Sequence, residues 1–156
     1  MLKSGAQRIQ DTLRELGYTN QVVELPQSTR TASDAAQAMG CEVAQIAKSI
    51  IFRLPVKNMP LLVVASGVNR INEAKLSRYL AEPIGKADAN FVREHTGFAI
   101  GGIPPVGHLA PLTTIVDEDL FHFTTIWAAA GHSAALFALT LQQLVNMTHG
   151  IVMAIK

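Results

Sequence analysis

The sequence predicts an α+β fold in a single domain, or a mixed β-sheet with helices packed on it. Helix-like and strand-like segments are interspersed along the chain, but they do not alternate strictly as in a doubly wound fold. The chain has 156 residues, of which 49% are apolar and only 16% are charged. That length and composition suit one compact domain with a sizeable core, so we expect residues 1–156 to form a single domain.

The first half of the chain carries two long strand signals and three helical ones. In order, we predict a helix from Ser4 to Leu16, a short strand over 22–25, a helix capped by Thr31 or Ser33 and closed by Gly40, a short helix over 42–46, and strands over 48–52 and 61–65. Both long strands are rich in β-branched and apolar residues, which predicts that they are buried on one or both faces.

The second half reads in the same way. We predict a helix capped by Asn72, a helix that begins at 86–88 with Asp88 as its cap and is closed by Gly97, and a strand from Phe98 that runs into a Gly/Pro loop. After these come strands over 112–117, within 121–129 and over 134–139, a helix over 141–147 capped by Thr140, and a strand over 150–155. The acidic turn 117–119 is interpreted as a solvated strand end.

Composition also limits the classes of function. The single cysteine, Cys41, excludes an internal disulfide framework and is interpreted as a small buried hydrophobic residue. No histidine pair has helical ligand spacing, so no metal site is predicted. The net charge of +1 argues against broad binding to duplex nucleic acid, but it leaves room for a single-stranded end. With no signal-like or membrane-spanning apolar run, we expect a cytoplasmic protein without membrane contact.

Lys48 is the first candidate for a functional residue. It begins a strand whose other members are mostly apolar, where a buried ammonium would cost several kcal/mol unless it were paired, hydrated or held for a ligand. The alternative is a lysine that extends its ammonium from the strand end to water. The strand alone does not decide between the two.

Three loops combine unusual backbone chemistry with polar groups. In residues 101–105, two glycines expose backbone N–H groups and two prolines stiffen the loop, so that it could hold a carbonyl or an oxyanion; a structural turn is the alternative. The loop 128–133 offers small residues that either admit a ligand or pack closely. In residues 31–33, hydroxyl groups at a helix start cap more often than they catalyse.

Taken together, these motifs resemble a known family. The stretch 31–40 followed by 45–52, the loop 101–108 (Gly-Gly-Ile-Pro-Pro-Val-Gly-His), and the pattern 127–131 followed by 140–144 are similar, in the same order, to the YbaK/ProX family of prolyl-tRNA synthetase-associated editing domains. The resemblance covers nearly the whole chain.

The resemblance implies a mixed sheet with a central cleft and a free-standing hydrolase that needs no metal or cofactor. Lys48 matches the family's functional lysine, which contacts the substrate, while a water or the tRNA's terminal hydroxyl is thought to attack. The candidate substrate-binding residues are Thr31, Ser49, Gly101, Gly102, Ile103, Pro104, His108 and Gly131. Ser49 stands where the alanine-editing subgroup tends to have asparagine, which disfavours that subgroup.

We therefore expect a trans-acting aminoacyl-tRNA deacylase that binds the acceptor end of tRNA, with proline tRNA carrying a small wrong amino acid as the substrate and prolyl-tRNA synthetase as a possible partner. Two alternatives stay open. One is a non-catalytic module of the same fold that binds aminoacyl-tRNA or a synthetase. The other is a small-molecule esterase with His108 or His132 as its general base. The oligomeric state is not predicted.

Overall fold

The computed structural model describes residues 1–29, 31–110 and 112–156. These residues form five α-helices and eight β-strands, which confirms the predicted α+β class. The helices are α1 (Ser4–Glu15), α2 (Ala32–Met39), α3 (Glu73–Leu80), α4 (Ala89–Thr96) and α5 (Leu141–Thr148). The strands are β1 (Val22–Glu24), β2 (Ile46–Leu54), β3 (Met59–Ser66), β4 (Gly85–Lys86), β5 (Thr113–Asp117), β6 (Ile126–Ala129), β7 (Ala135–Leu139) and β8 (Ile151–Met153).

All eight strands belong to one mixed sheet. Its order is β1-β7-β6-β2-β3-β5-β8, and the short β4 pairs with β2 outside this path. The pairs β2·β6, β3·β5 and β5·β8 are parallel, and the others are antiparallel. Strand β1, near the start of the chain, pairs with β7, which lies near its end. Strands from both ends of the sequence therefore belong to the same sheet.

Helices cover both faces of this sheet, because side chains along each strand alternate between the faces. On one face Leu62 and Val64 of β3 pack with Ile9 and Leu13 of α1, together with residues of α4 and α5. On the other face the intervening β3 residues pack with Leu76 of α3. Central strands buried on both faces explain the nearly continuous apolar runs in the sequence.

The predicted helix starts are confirmed by their caps. The side chains of Thr31, Asn72, Asp88 and Thr140 each accept a hydrogen bond from a backbone N–H in the first turn of the helix that follows. Among the described residues, no helix has the length and apolar character needed to cross a bilayer.

Some local predictions are wrong. Phe98 does not begin a strand: the Thr96 hydroxyl bonds both to the N–H and to the carbonyl of Phe98, and glycines 97 and 101 adopt positive φ, so the chain turns. Residues 85 and 86 pair with β2, and the following helix begins only at Ala89. The short helix predicted over 42–46 is present, as a 3₁₀ helix (Val43–Gln45) with Glu42 as its N-cap residue and Ile46 as its C-cap residue.

The acidic turn is also not solvated throughout, because Asp117 is only 1% exposed. Its carboxylate accepts hydrogen bonds from the backbone N–H groups of Ser66 and Asp119 and from the side-chain amide of Asn69. These three donors replace water around the charge, so Asp117 joins the ends of β3 and β5 from inside the fold.

One interruption in the sheet positions the site. On its side away from β3, strand β2 pairs with β6 only at Ile46 and Ala47, and with β4 only at Phe52 and Arg53. Within the described residues, 48–51 therefore have no strand partner on that side. The sheet opens along this edge.

Candidate functional site

A cavity of about 500 Å³ lies along the open edge of β2. Five consecutive β2 residues, 46–50, line it, although successive side chains leave opposite faces of a strand. A hollow that touches both faces must run along the strand's edge. Its other walls include Thr29 and the start of α2, residues 100, 101 and 103, and the segment that joins β6 to β7 with the first residues of β7.

Lys48 is the third residue of β2 rather than its first, and it is half-buried in this wall. The structure describes three ion pairs, and none of them includes Lys48. Over the described part of the chain, no carboxylate lies within 4.0 Å of its ammonium. Lys48 therefore lines the cavity with an ammonium that no described carboxylate neutralises.

Ser49, the neighbour of Lys48, carries the second open polar group. Its hydroxyl oxygen is buried and has no hydrogen-bond partner among the described residues. An unsatisfied buried hydroxyl costs about 1–3 kcal/mol, which a bound polar group could recover. Because Ser49 also lines the cavity, its side chain is a candidate contact for a ligand there.

The Gly101–Pro105 loop reaches the cavity, but its two glycines differ. Gly101 lines the cavity at φ +101°, and its N–H donates to no acceptor in the described part of the chain. The Gly102 N–H instead donates to the Ala99 carbonyl at 3.2 Å. Of the two predicted oxyanion donors, only the Gly101 amide is open to a ligand.

Gly102 and Gly131 allow close packing of the backbone and do not form part of the cavity lining. A Cβ on Gly102 would lie 2.5 Å from the His132 Cα, and one on Gly131 would meet the Gly5 carbonyl at the start of α1. The Gly131 N–H donates to the Gly102 carbonyl at 3.0 Å. Both glycines thus hold the two cavity loops against each other, and neither lines the cavity.

The remaining predicted residues divide in the same way. Thr31 lines the cavity while its hydroxyl caps α2, and Ile103 lines it as a buried apolar residue. Pro104 and His108 do not line it. The His108 Nε2–H donates to the Pro104 carbonyl at 2.7 Å, which closes the loop on itself. Burial lowers the pKa of His108, and the nearby Arg8 charge lowers it further, while the Pro104 bond opposes them.

His132, which the esterase alternative would use as its general base, also lines the cavity. Its Nε2–H donates to the Glu24 carboxylate at 2.6 Å, and its Nδ1 accepts from the Ala134 N–H at 3.1 Å. This hydrogen bond from His132 is the main cause that lowers the pKa of Glu24. With both ring nitrogens engaged, His132 is not free to act as a general base.

Of the small residues in the loop 128–133, few line the cavity. Ala129 lines the cavity, whereas Ala128 and Ala130 are fully buried in the core. Over the described residues, no group of three or more His, Cys, Asp or Glu side chains is arranged to share a metal ion. Among the polar groups that line the cavity, the Lys48 ammonium, the Ser49 hydroxyl and the Gly101 N–H have no partner in the described part of the chain.

Known proteins share this fold. The family model for the aminoacyl-tRNA editing domain matches residues 26–147. A crystal structure described as a candidate trans-editing enzyme for prolyl-tRNA synthetase is 45% identical, with a TM-score of 0.95, and the match covers 100% of this chain and 99% of that one.

Two curated relatives agree with this. The uncharacterized protein YwhH of Bacillus subtilis (strain 168) is 31% identical over 125 residues, which cover 80% of this chain and 79% of YwhH. The proline–tRNA ligase of Limosilactobacillus fermentum is 29% identical over 94 residues, which cover 58% of this chain but only 16% of the ligase. The chain belongs to the aminoacyl-tRNA editing domain family and is a hydrolase, an aminoacyl-tRNA deacylase.

Proposed function

We propose that this protein acts in trans on mischarged tRNA, and that its substrate is proline tRNA carrying a small wrong amino acid. The observation that carries the proposal is the unpartnered Lys48 ammonium beside the open Gly101 amide in one cavity of an editing domain. The full-length match to a candidate trans-editing enzyme for prolyl-tRNA synthetase supports action in trans and supports proline tRNA. The segment shared with a proline–tRNA ligase supports the same tRNA.

The reaction needs little more than positioning and charge stabilisation, because an aminoacyl ester is already activated. A nucleophile adds to the ester carbonyl, and the carbonyl oxygen becomes an oxyanion. The Lys48 ammonium and the Gly101 N–H stabilise this charge. The bond to the tRNA oxygen then breaks, and that oxygen takes up a proton to restore the terminal hydroxyl.

Ser49 holds the amino acid in this scheme. Its hydroxyl gains its missing hydrogen bond when a polar group of the aminoacyl moiety enters the cavity. The ionisable side chains that line the described cavity are Lys48 and His132, and the latter is engaged with Glu24. We therefore assign the attack to a water, whose oxygen ends in the released carboxylate and whose proton goes to the leaving tRNA oxygen. The free terminal hydroxyl of the tRNA orients this water, and no histidine acts as general base.

Selectivity for small amino acids follows from the branched apolar side chains in the lining, which take up space that a bulky amino acid would need. These residues are Val43, Ile46, Ile50, Ile103 and Leu136. A synthetase separates amino acids that differ by one methylene by only about 1–3 kcal/mol, so a second, hydrolytic site improves fidelity. Prolyl-tRNA itself should be spared, since its hydrolysis would cancel the benefit.

We further propose that residues 1–156 make up one editing domain that works in the cytoplasm on the acceptor end of tRNA, with prolyl-tRNA synthetase as a partner. The pairing of β1 with β7 and of β8 with β5 supports the domain limits, because both end strands belong to the same sheet as the matched core.

A panel of charged tRNAs tests the proposed function. Proline tRNA carrying alanine, cysteine, serine, threonine, proline or phenylalanine is incubated with the protein at equal concentrations, and release of labelled amino acid is followed. One or two of the small esters should be hydrolysed, while prolyl and phenylalanyl esters persist.

Other outcomes would each contradict a specific part of the proposal. Retention of tRNA without turnover would indicate a binding module, and preference for a simple nitrophenyl ester would indicate an esterase. Preferential loss of the prolyl or phenylalanyl ester would show that the size argument is wrong.

A further inference from the structure

A second hollow, the basic cleft, lies beside the cavity. Its lining includes Lys3, Arg8 and Arg93, together with Phe98, His132 and Ser133. His132 and Ser133 also line the cavity, so the same turn of the chain borders both hollows. The deacylase chemistry described above does not use this cleft.

The basic cleft carries three cationic side chains that form no ion pair with the described residues. Lys3, Arg8 and Arg93 line it, and no aspartate or glutamate is among its lining residues. In the described part of the chain, none of the three cations has a carboxylate within 4.0 Å. The carboxylate of Glu24 accepts from the His132 ring and from the Lys3 backbone N–H, at 2.6 and 3.2 Å.

The guanidinium of Arg8 is held in a fixed position. One of its Nη groups donates to the Gly107 carbonyl at 2.8 Å, and its Cζ lies 4.5 Å from the centre of the Phe98 ring. A guanidinium has five N–H donors, so donors remain for an anion after this bond is made. A cation held in this way loses little side-chain entropy when it binds a phosphate.

The basic cleft and the cavity form one path across the surface. Residues 97–99 line the cleft and residues 100, 101 and 103 line the cavity, and the turn at residues 131–135 borders both. The contact of Gly102 with His132 forms the ridge between them. A chain whose end lies in the cavity can continue over this ridge into the cleft.

We propose that the basic cleft binds backbone phosphodiester groups of the single-stranded 3′ end of tRNA while the aminoacyl ester occupies the cavity. This inference rests on the proposed function. The ligand chemistry is an anionic, unpaired strand, because the cations form a short cluster rather than the long array that a duplex requires. The net charge of +1 fits a partner that presents only a few phosphates.

Replacement of a cleft cation tests the proposal. Arg93→Gln removes an exposed charge of the cleft, and Arg78→Gln removes an exposed arginine of α3, on the opposite face of the sheet, as the matched control. With a hydrolysable aminoacyl-tRNA, Arg93→Gln should raise KM about fivefold and leave kcat unchanged. The slope of log KM against log salt concentration should become shallower by about 0.7.

A second substrate separates this inference from the proposed function. Aminoacyl-adenosine presents the same ester without any phosphate, so wild-type protein and Arg93→Gln should hydrolyse it equally. If wild-type protein hydrolyses aminoacyl-tRNA, but Arg93→Gln and the double variant Lys3→Gln/Arg93→Gln keep the KM and salt slope of Arg78→Gln, the cleft does not bind the strand. Wild-type protein that hydrolyses neither substrate would overturn the proposed function, and the inference with it.

Discussion

The carboxylate of Asp117 and the hydroxyl of Ser49 are both buried polar groups on strands of the same sheet, but only the carboxylate has hydrogen-bond partners. Ser49 pairs with Val64 of β3, and Val64 pairs with Val116 of β5, so that Asp117 lies only two strands away. Both groups belong to the same sheet, yet one has three hydrogen-bond donors around it and the other has no partner.

This difference separates a structural polar group from a ligand-binding one. A buried polar group with all its bonds made joins elements of the fold, as Asp117 joins β3 and β5. A buried polar group without partners, next to an unpaired ammonium and an open cavity, reduces stability until a ligand arrives. Each of the following variants tests one side of this comparison.

The largest effect is expected at Lys48. Lys48→Ala should lower single-turnover deacylation by at least about 100-fold, as the loss of an oxyanion donor does, while the thermal midpoint stays unchanged. Lys86→Ala, which removes an exposed lysine from β4, is the control and should keep full activity. A Lys48→Ala protein that turns over near the wild-type rate would show that the ammonium is not catalytic.

Asp117→Asn should have the opposite profile. The new amide group places a donor against backbone donors, so the free energy of unfolding should fall by about 3 kcal/mol, measured by urea denaturation. The deacylation rate of the folded fraction should hardly change. Glu94→Gln, an exposed acid on α4, serves as the control. Loss of turnover in fully folded Asp117→Asn would place Asp117 in the catalytic machinery.

Ser49→Ala should make the protein more stable and less active. Removal of an unsatisfied hydroxyl should raise the free energy of unfolding by about 1 kcal/mol, and loss of a substrate hydrogen bond should lower kcat/KM about tenfold. Ser66→Ala is a matched control, because that buried hydroxyl donates to the Ala44 carbonyl at 2.8 Å and its removal should destabilise the fold. Equal destabilisation by both changes would contradict the comparison.

The smallest effect concerns His108 and pH. Burial lowers its pKa below the usual 6.5, so at pH values just below 6.5 the unfolded chain binds a proton that the folded chain does not. The free energy of unfolding should therefore fall as pH decreases through this range, and His108→Gln should reduce that fall by less than about 1 kcal/mol. Parallel stability curves for the two proteins between about pH 7.5 and pH 5.5 would contradict this.

Local sequence signals predicted much of this fold and part of the site. The caps at Thr31, Asn72, Asp88 and Thr140 depend on residues within one helical turn, so the sequence reveals them directly. Lys48 was identifiable because a charge among apolar strand residues needs an explanation. The structure places this lysine in the lining of the cavity, within the segment that matches the editing-domain family.

The features that the sequence did not reveal depend on distant partners. The open edge of β2 that Ser49 lines exists because β6 stops pairing with β2 at Ala47, which no local pattern encodes. The bond between Glu24 and His132 joins residues 108 positions apart. Gly102 reads as a ligand-binding glycine, but the backbone of His132 is what excludes a side chain there. Strand pairing and loop packing, rather than composition, decide which polar groups stay open.

A crystal structure with a non-hydrolysable substrate analogue tests the central claim most directly. Adenosine carrying alanine or serine on a 3′ amide, in place of the ester, keeps the shape of the aminoacyl end and resists hydrolysis. The amino acid should lie in the cavity, with the Lys48 Nζ and the Ser49 Oγ each within about 3.5 Å of its polar atoms and the bonds of Asp117 unchanged. An analogue bound outside this cavity, with the Ser49 hydroxyl still unpartnered, would contradict the account.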